Sequence, residues 1–207
     1  MGKFLLINGS PNEHGCTFTA LAEVASALKK HNIDSEMVYL GKKAVQGCIA
    51  CMYCRKHGRC VFNDQVNEIS ARLGEFDGIV VGSPVYYAGP TGQVCSFLDR
   101  FFFSNSNGFA GKLAASVVSC RRGGATAAFD RLNKYFTISN MIVAGSQYWN
   151  MVHGFTPEDV RKDLEGLQTM RTLGENLAWM LESIKAGRQN GVKVPAYEDI
   201  VFTHFIN

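Results

Sequence analysis

The chain alternates between short, wholly apolar runs and longer stretches in which apolar residues recur every three or four positions. Phe4-Leu5-Leu6-Ile7, Ile79-Val80-Val81 and Leu113–Ser119 are continuous enough to predict strands buried on both faces. Ser35–Leu40 and Met141–Ala144 complete a predicted set of five strands. Between them the period is helical. Over Thr17–Lys30, Phe18, Leu21, Val24, Ala25 and Leu28 share one stripe, with Glu23, Lys29 and Lys30 off it, and His31-Asn32 closes the helix. Asp64 suits an N-cap ahead of a helix with Val66, Ile69 and Leu73 on its inner side. Thr91–Phe103 carries Val94, Phe97, Leu98 and Phe101 in register, and another helix runs from Ala125 to about Phe136. Pro157 suits the first turn of a last long helix to about Lys185, with Leu164, Leu167, Met170, Leu177, Leu181 and Ile184 inward.

Strand and helix alternating in this way predict a three-layer α/β fold, a parallel sheet with helices on both faces. Residues 1–186 make one domain with no repeat or linker, and residues 187–207 form a mixed tail. Ile200-Val201-Phe202 in that tail is expected to pack on something, a partner subunit included. At 207 residues, 46% hydrophobic and with a formal net charge of +3, the chain is neither disordered nor a general nucleic-acid binder. No apolar run approaches a membrane span, and the Phe4–Ile7 run is too short for a signal-peptide core. A cytoplasmic location follows as the expectation. In that reducing setting the seven cysteines argue against a disulfide framework.

In a wound parallel sheet, ligands lie beyond the carboxyl ends of the strands. After the first strand comes Asn8-Gly9-Ser10-Pro11-Asn12, and Gly15-Cys16-Thr17 opens the first helix. A strand feeding a small-residue loop and a helix N-terminus is an anion site, because the first-turn N–H groups lack partners and the helix dipole favours negative charge. Ser10, Asn12 and Thr17 add neutral donors, and the loop has no Lys or Arg. The spacing excludes a triphosphate-binding loop, which needs a Lys before Thr17, and the G-x-G-x-x-G dinucleotide fingerprint. The remaining pattern, G-S-P-N-x-x-G-x-T, resembles the FMN-phosphate loop of the flavodoxin-like NAD(P)H-dependent FMN reductases.

After the third strand, Ser83-Pro84-Val85-Tyr86-Tyr87-Ala88-Gly89-Pro90 resembles the second flavin loop of the same family. The resemblance extends to Ser119, Arg121, Gly123 and Gly124 after the fourth strand, and to Tyr148–Gly154 after the fifth. It implies the flavodoxin-like strand order 2-1-3-4-5. It also implies an FMN site built from Ser10, Asn12, Gly15, Cys16, Thr17, Phe18, Pro84, Val85, Tyr86, Tyr87, Ala88, Gly89, Ser119, Arg121, Gly123 and Gly124. Arg121 or Arg122 would meet the negative charge of reduced flavin or a nicotinamide-cofactor phosphate. Trp149 and His153 would line the substrate side, His153 being the one side chain offered for a catalytic role.

Cys48, Cys51, Cys54 and Cys60 give C-x2-C-x2-C-x5-C. Three thiols two residues apart with a fourth soon after can wrap a cuboidal cluster, whereas a zinc site usually draws two pairs from farther apart. Lys42, Lys43, Arg55, Lys56 and Arg59 surround them. The spacing matches the compact cluster motif of archaeal and bacterial iron–sulfur flavoproteins. It equally suits flavodoxin-like reductases that keep several cysteines without a cluster, so a [4Fe-4S] group and plain thiols both stay open.

The resemblance therefore implies an FMN-dependent oxidoreductase that passes hydride from NAD(P)H to a small-molecule acceptor: a quinone, a nitro or azo compound, or free flavin. The alternative is an iron–sulfur electron carrier with the cluster on those four cysteines. Phe101-Phe102-Phe103 and the apolar tail read as more apolar surface than one domain needs, so a homodimer or homotetramer is expected.

Overall fold

The computed structural model describes residues 2–206; Asn207, the end of the tail, and Met1 lie outside the described residues. Strands β1 (Gly2–Asn8), β2 (Ile33–Tyr39), β3 (Gly78–Pro84), β4 (Leu113–Cys120) and β5 (Ile142–Val143) form a parallel sheet in the order β2-β1-β3-β4-β5. A sixth strand, β6 (Met151–His153), also pairs with β4. Side chains alternate across the pleat, so β1 sends Leu5 and Ile7 into one core and Phe4 and Leu6 into the other. That two-sided burial is why its apolar run has no polar interruption.

Helices α1 (Cys16–Lys30), α6 (Pro157–Lys162) and α7 (Leu164–Gln189) contribute to the core on one side of the sheet. On the other side lie α3 (Gln65–Ser70), α4 (Gly92–Ser104) and α5 (Ala125–Ile138). The Asp64 carboxylate caps α3 by accepting from Val66 N, and Thr91 caps α4 by accepting from Val94 N. Where α1 crosses α7, a Cβ on Gly174 would stand 2.5 Å from Ala27 Cβ, so that glycine sets how closely the two helices approach.

Four features depart from the pattern read in the sequence. The fifth strand comes in two pieces: Ile142–Val143 pairs with Leu113–Ala114, and Met151–His153 pairs with Val118–Cys120. The excursion between them is held by Ser146 Oγ, which lies 2.7 Å from both Tyr148 O and Asn150 Oδ1 and can donate its one hydrogen to either. The last helix is likewise divided. Thr156 and Asp159 form a capping box that starts α6, and Asp163 then caps α7 by accepting from Gly166 N at 2.9 Å. Leu164 thus lies in a first turn, 75% exposed, rather than inward. A short helix, α2 (Tyr53–His57), appears inside the cysteine segment. Phe101 and Phe102 are core residues packed with Phe109, so they leave no spare apolar surface.

Residues 190–206 have neither helix nor strand, and the Ile200, Val201, Phe202, Phe205 and Ile206 side chains stand in solvent. Among the described residues, no helix is long and apolar enough to cross a membrane.

Candidate flavin and thiol sites

The loop leaving β1 is tied down before any ligand arrives. Asn8 donates through Nδ2 to Glu13 O at 2.9 Å and accepts at Oδ1 from Ser10 N. Ser10 Oγ in turn accepts from Asn12 N, and Gly15 N donates to Asn12 O. Gly9 is pinned on both sides, its N–H donating to Gly82 O and its carbonyl accepting from Thr91 Oγ1. A side chain there would meet Val94 Cβ at 2.7 Å, so the β1 loop and the start of α4 touch backbone to side chain. The N–H groups of Cys16, Thr17 and Phe18 open α1, where no intrahelical acceptor exists, and Gly15 offers no side-chain cap. The result is a braced loop leading into a helix N-terminus whose first N–H groups have no intrahelical acceptor. Asn12 is exposed, and its side-chain amide has no partner among the described residues. Thr17 differs: it is buried, and its hydroxyl sits 2.9 Å from Ser119 Oγ. That bond, spanning 102 positions, ties the loops after β1 and β4 together.

The second loop is a two-residue hairpin turn. Tyr86 and Gly89 exchange both backbone hydrogen bonds, at 2.8 and 3.0 Å. Tyr87 (φ +49°) and Ala88 (φ +57°) between them are both left-handed. Neither is glycine, so the turn stores on the order of 1–3 kcal/mol per residue, the kind of strain that surrounding structure must impose. Tyr87 is 106% exposed and contacts no core. The third loop locks against this turn. Gly124 (φ +85°) begins α5, and a Cβ on it would stand 2.8 Å from Ala88 Cα. Val85 N donates to Ser119 O at 2.9 Å. Arg121 and Arg122 are exposed, and neither side chain makes an ion pair or hydrogen bond among the described residues.

The three loops thus meet at one edge, as the strand order requires. The fourth is joined more loosely. The Cys16 thiol lies 3.8 Å from Gly154 O, and burial pushes its pKa upward, against thiolate formation. His153 pairs with Cys120 at the end of β4, and its contacts are with the cap of α7. Its N–H donates to Asp163 Oδ2 at 2.6 Å, and its ring Nδ1 is 3.8 Å from the same oxygen. Trp149 is half-exposed, edge-to-face with Tyr148.

All four cysteines of the compact motif line one cleft, with Met52, Phe62, Arg100 and Phe103. Ala50 (φ +53°) and Met52 (φ +57°) are left-handed, turning the chain between Cys48, Cys51 and Cys54. Cys60 is held at its backbone by Asn67, whose Oδ1 accepts from Cys60 N and whose Nδ2 donates to Cys60 O, both at 2.9 Å. Among the described residues no three donors converge on a single ion. A single zinc, with bonds of about 2.3 Å, requires tighter convergence than this, whereas a cuboidal cluster takes one thiolate at each of four irons. Along α4, Arg100 at this cleft is about 14 Å from Thr91 at the flavin-type loops, at 1.5 Å per residue.

Sequence reasoning missed Arg100. Its signal was a charge set within the apolar stripe of Phe97, Leu98 and Phe101, which a helix buries only when that charge is paired.

A five-element parallel order β2-β1-β3-β4-β5, with a donor-lined loop after β1 and stiffened loops after β3 and β4, defines a flavodoxin-like fold. Solved structures agree. An archaeal flavodoxin superposes with a TM-score of 0.59 at 16% identity, covering 88% of this chain and 99% of that one. RosB with bound 8-demethyl-8-formylriboflavin-5′-phosphate reaches 0.70 at 16% identity, covering 100% and 94%. The chain belongs to the NADPH-dependent FMN reductase family, whose sequence profile matches residues 2–156. Within it the chain stands close to the iron–sulfur flavoproteins. One from Methanocaldococcus jannaschii is 33% identical over 193 residues, covering 88% of this chain and 99% of the relative. One from Methanosarcina thermophila is 28% identical over 190 residues, covering 90% and 98%. The protein is a flavoprotein oxidoreductase.

Proposed function

We propose that this protein transfers electrons between FMN, held in the three carboxyl-edge loops, and a [4Fe-4S] cluster held by Cys48, Cys51, Cys54 and Cys60. The observation that carries the proposal is that all four thiols of the compact motif line one cleft. Relatives named iron–sulfur flavoproteins support the same pairing. Bound FMN supplies two-electron and one-electron redox chemistry, and a four-thiolate cluster supplies single-electron transfer.

The chain's own residues bind and orient. The N–H groups of Cys16, Thr17 and Phe18, with Ser10 and the free amide of Asn12, donate to a phosphate dianion. The Asn8 bonds fix that loop beforehand, so little ordering entropy remains to be lost on binding. The Tyr86–Gly89 turn offers backbone groups and flat aromatic surface to a ring, while Gly124 keeps the β4 loop close enough to close the slot. Arg121 supplies positive charge where a reduced ring gathers negative charge.

A second reading, direct reduction by NAD(P)H, is favoured by the unpaired, exposed Arg121 and Arg122 beside this slot, which suit a nucleotide phosphate. We also propose assembly into a homo-oligomer. The two tail phenylalanines alone present about 300–500 Å², a large part of the roughly 800 Å² that each partner of a stable interface buries.

Anaerobic purification tests the main reading. About four iron and four sulfide per FMN are expected. A protein reconstituted with iron and sulfide that retains neither is not an iron–sulfur carrier. Prompt bleaching of its flavin by NADPH then favours the reductase.

A further inference from the structure

Arg100 sits in the third turn of α4 and is 1% exposed, the only charged side chain among the fully buried ones of the described residues. A buried guanidinium survives only if its charge is matched and its five N–H groups are used. Here all five are. Nη1 donates to Asp64 Oδ2 at 2.7 Å and Gln46 O at 3.2 Å. Nη2 donates to Asp64 Oδ1 at 2.8 Å and Phe62 O at 3.4 Å. The fifth, Nε, donates to Cys60 Sγ at 3.2 Å. The guanidinium also lies 4.9 Å over the Phe62 ring.

A simple staple between α4 and the loop before α3 needs Asp64 and the two carbonyls; it does not need the sulfur. The Nε bond gives one of the four cysteines a fixed cationic donor that the other three lack. Cys48 and Cys51 are exposed, and no hydrogen bond reaches the sulfur of Cys48, Cys51 or Cys54 among the described residues. Asn67 holds the backbone of Cys60, and Arg100 holds its sulfur, so this ligand is fixed at both ends.

We infer that Arg100 is a positioning residue that orients Cys60 Sγ and raises the reduction potential of the cluster on these cysteines. The inference rests on the cluster reading above. An electron added to a four-thiolate cluster increases negative charge at its sulfurs. An N–H···S bond from a cation stabilises that state more than the oxidised one. Asp64 opposes the effect from the far side of the guanidinium, and its side chain is 38% accessible, so water screens it more than it screens Arg100.

The test is a spectroscopic redox titration of the cluster in intact protein, with iron content and FMN binding measured alongside. Arg100→Met removes the charge and the Nε donor. It is expected to lower the reduced-to-oxidised ratio at fixed ambient potential at least tenfold, a drop of about 59 mV for one electron. Asp64→Asn removes the opposing charge and should shift the potential upward. Arg100→Lys keeps the charge but cannot span Asp64 and the sulfur together, so it should fall between wild type and Arg100→Met. Opposite shifts at two partners of one ion pair are not what loss of a structural staple produces.

Full iron content with an unchanged potential in Arg100→Met overturns the inference. Should Arg100→Met fail to fold, Asp64→Asn decides, and a potential equal to or below wild type overturns it. Loss of iron from Arg100→Met with FMN binding intact supports the positioning role. A wild-type protein that binds no iron refutes the cluster reading itself, a different result from a wild-type cluster indifferent to Arg100.

Discussion

Gly124→Ala tests whether the β4 loop and the Tyr86–Gly89 turn form one slot. The added methyl meets two separate costs. At φ +85° an alanine gives up roughly 1–2 kcal/mol relative to glycine. Its Cβ would also stand 2.8 Å from Ala88 Cα and 3.1 Å from Val85 Cγ1, and overpacking of this kind costs about 1–3 kcal/mol. The total is about 2–5 kcal/mol. Ala88 is already strained at φ +57° and cannot retreat cheaply, so the two loops must part. If half of that cost appears as slot opening rather than global instability, FMN affinity falls about 5-fold to 60-fold, at 1.4 kcal/mol per decade. The assay is fluorescence titration of apoprotein with FMN, paired with thermal melting. Gly123→Ala is the internal control: its φ is not positive and its Cβ would meet nothing within 4 Å. Wild-type affinity and melting temperature in Gly124→Ala would show that the loops do not touch as described. An equal loss in both variants would place the effect in the loop's flexibility instead.

Three further outcomes follow from other parts of the molecule. Gly174→Val, with Ala27 Cβ 2.5 Å from the new Cβ position, should separate α1 from α7 and cost about 1–3 kcal/mol in urea unfolding; a smaller change than 0.5 kcal/mol contradicts the packing. Hydrogen bonding to Arg72, then to Lys3, lowers the Glu36 carboxyl to about 2, so its contribution is complete above the ordinary 4.5 and lost as pH falls toward 2. Glu36→Gln should therefore cost about 1 kcal/mol at pH 7 after solvent screening, with the gap to wild type closing between pH 4.5 and 2; a gap that widens in acid refutes this. If the proposed oligomer forms through the tail, deleting residues 191–207 should yield monomer in sedimentation velocity while leaving FMN binding in place, and the same assembly size with and without the tail would refute a tail-mediated interface.

Much of the fold is written in local pattern. Phe4–Ile7, Ile79–Val81 and Leu113–Ser119 read as buried strands and are central ones, while their order comes from the family resemblance rather than from the runs themselves. Asp64 declared its cap because Asx side chains compete for backbone N–H groups wherever they stand. What stayed hidden depends on partners far along the chain. Thr17 read as a free donor, yet its hydroxyl meets Ser119. Asp163 looked like one polar residue in a long helical period, and only its bond to Gly166 N shows that it ends one helix and begins another. Phe101 and Phe102 read as surplus because Phe109, Tyr135 and Phe136, which cover Phe102, come from other elements.

The cysteine segment also makes the molecule electrically lopsided. Residues 41–61 hold five of the 21 Lys and Arg and none of the 18 acidic residues, so the remainder of the chain is net −2. A protein divided in this way has a permanent moment that turns its thiol-bearing pole toward any anionic body drawing near. At physiological ionic strength that orienting field fades over about 8 Å, so encounters should be guided only at close range and slow as salt is added.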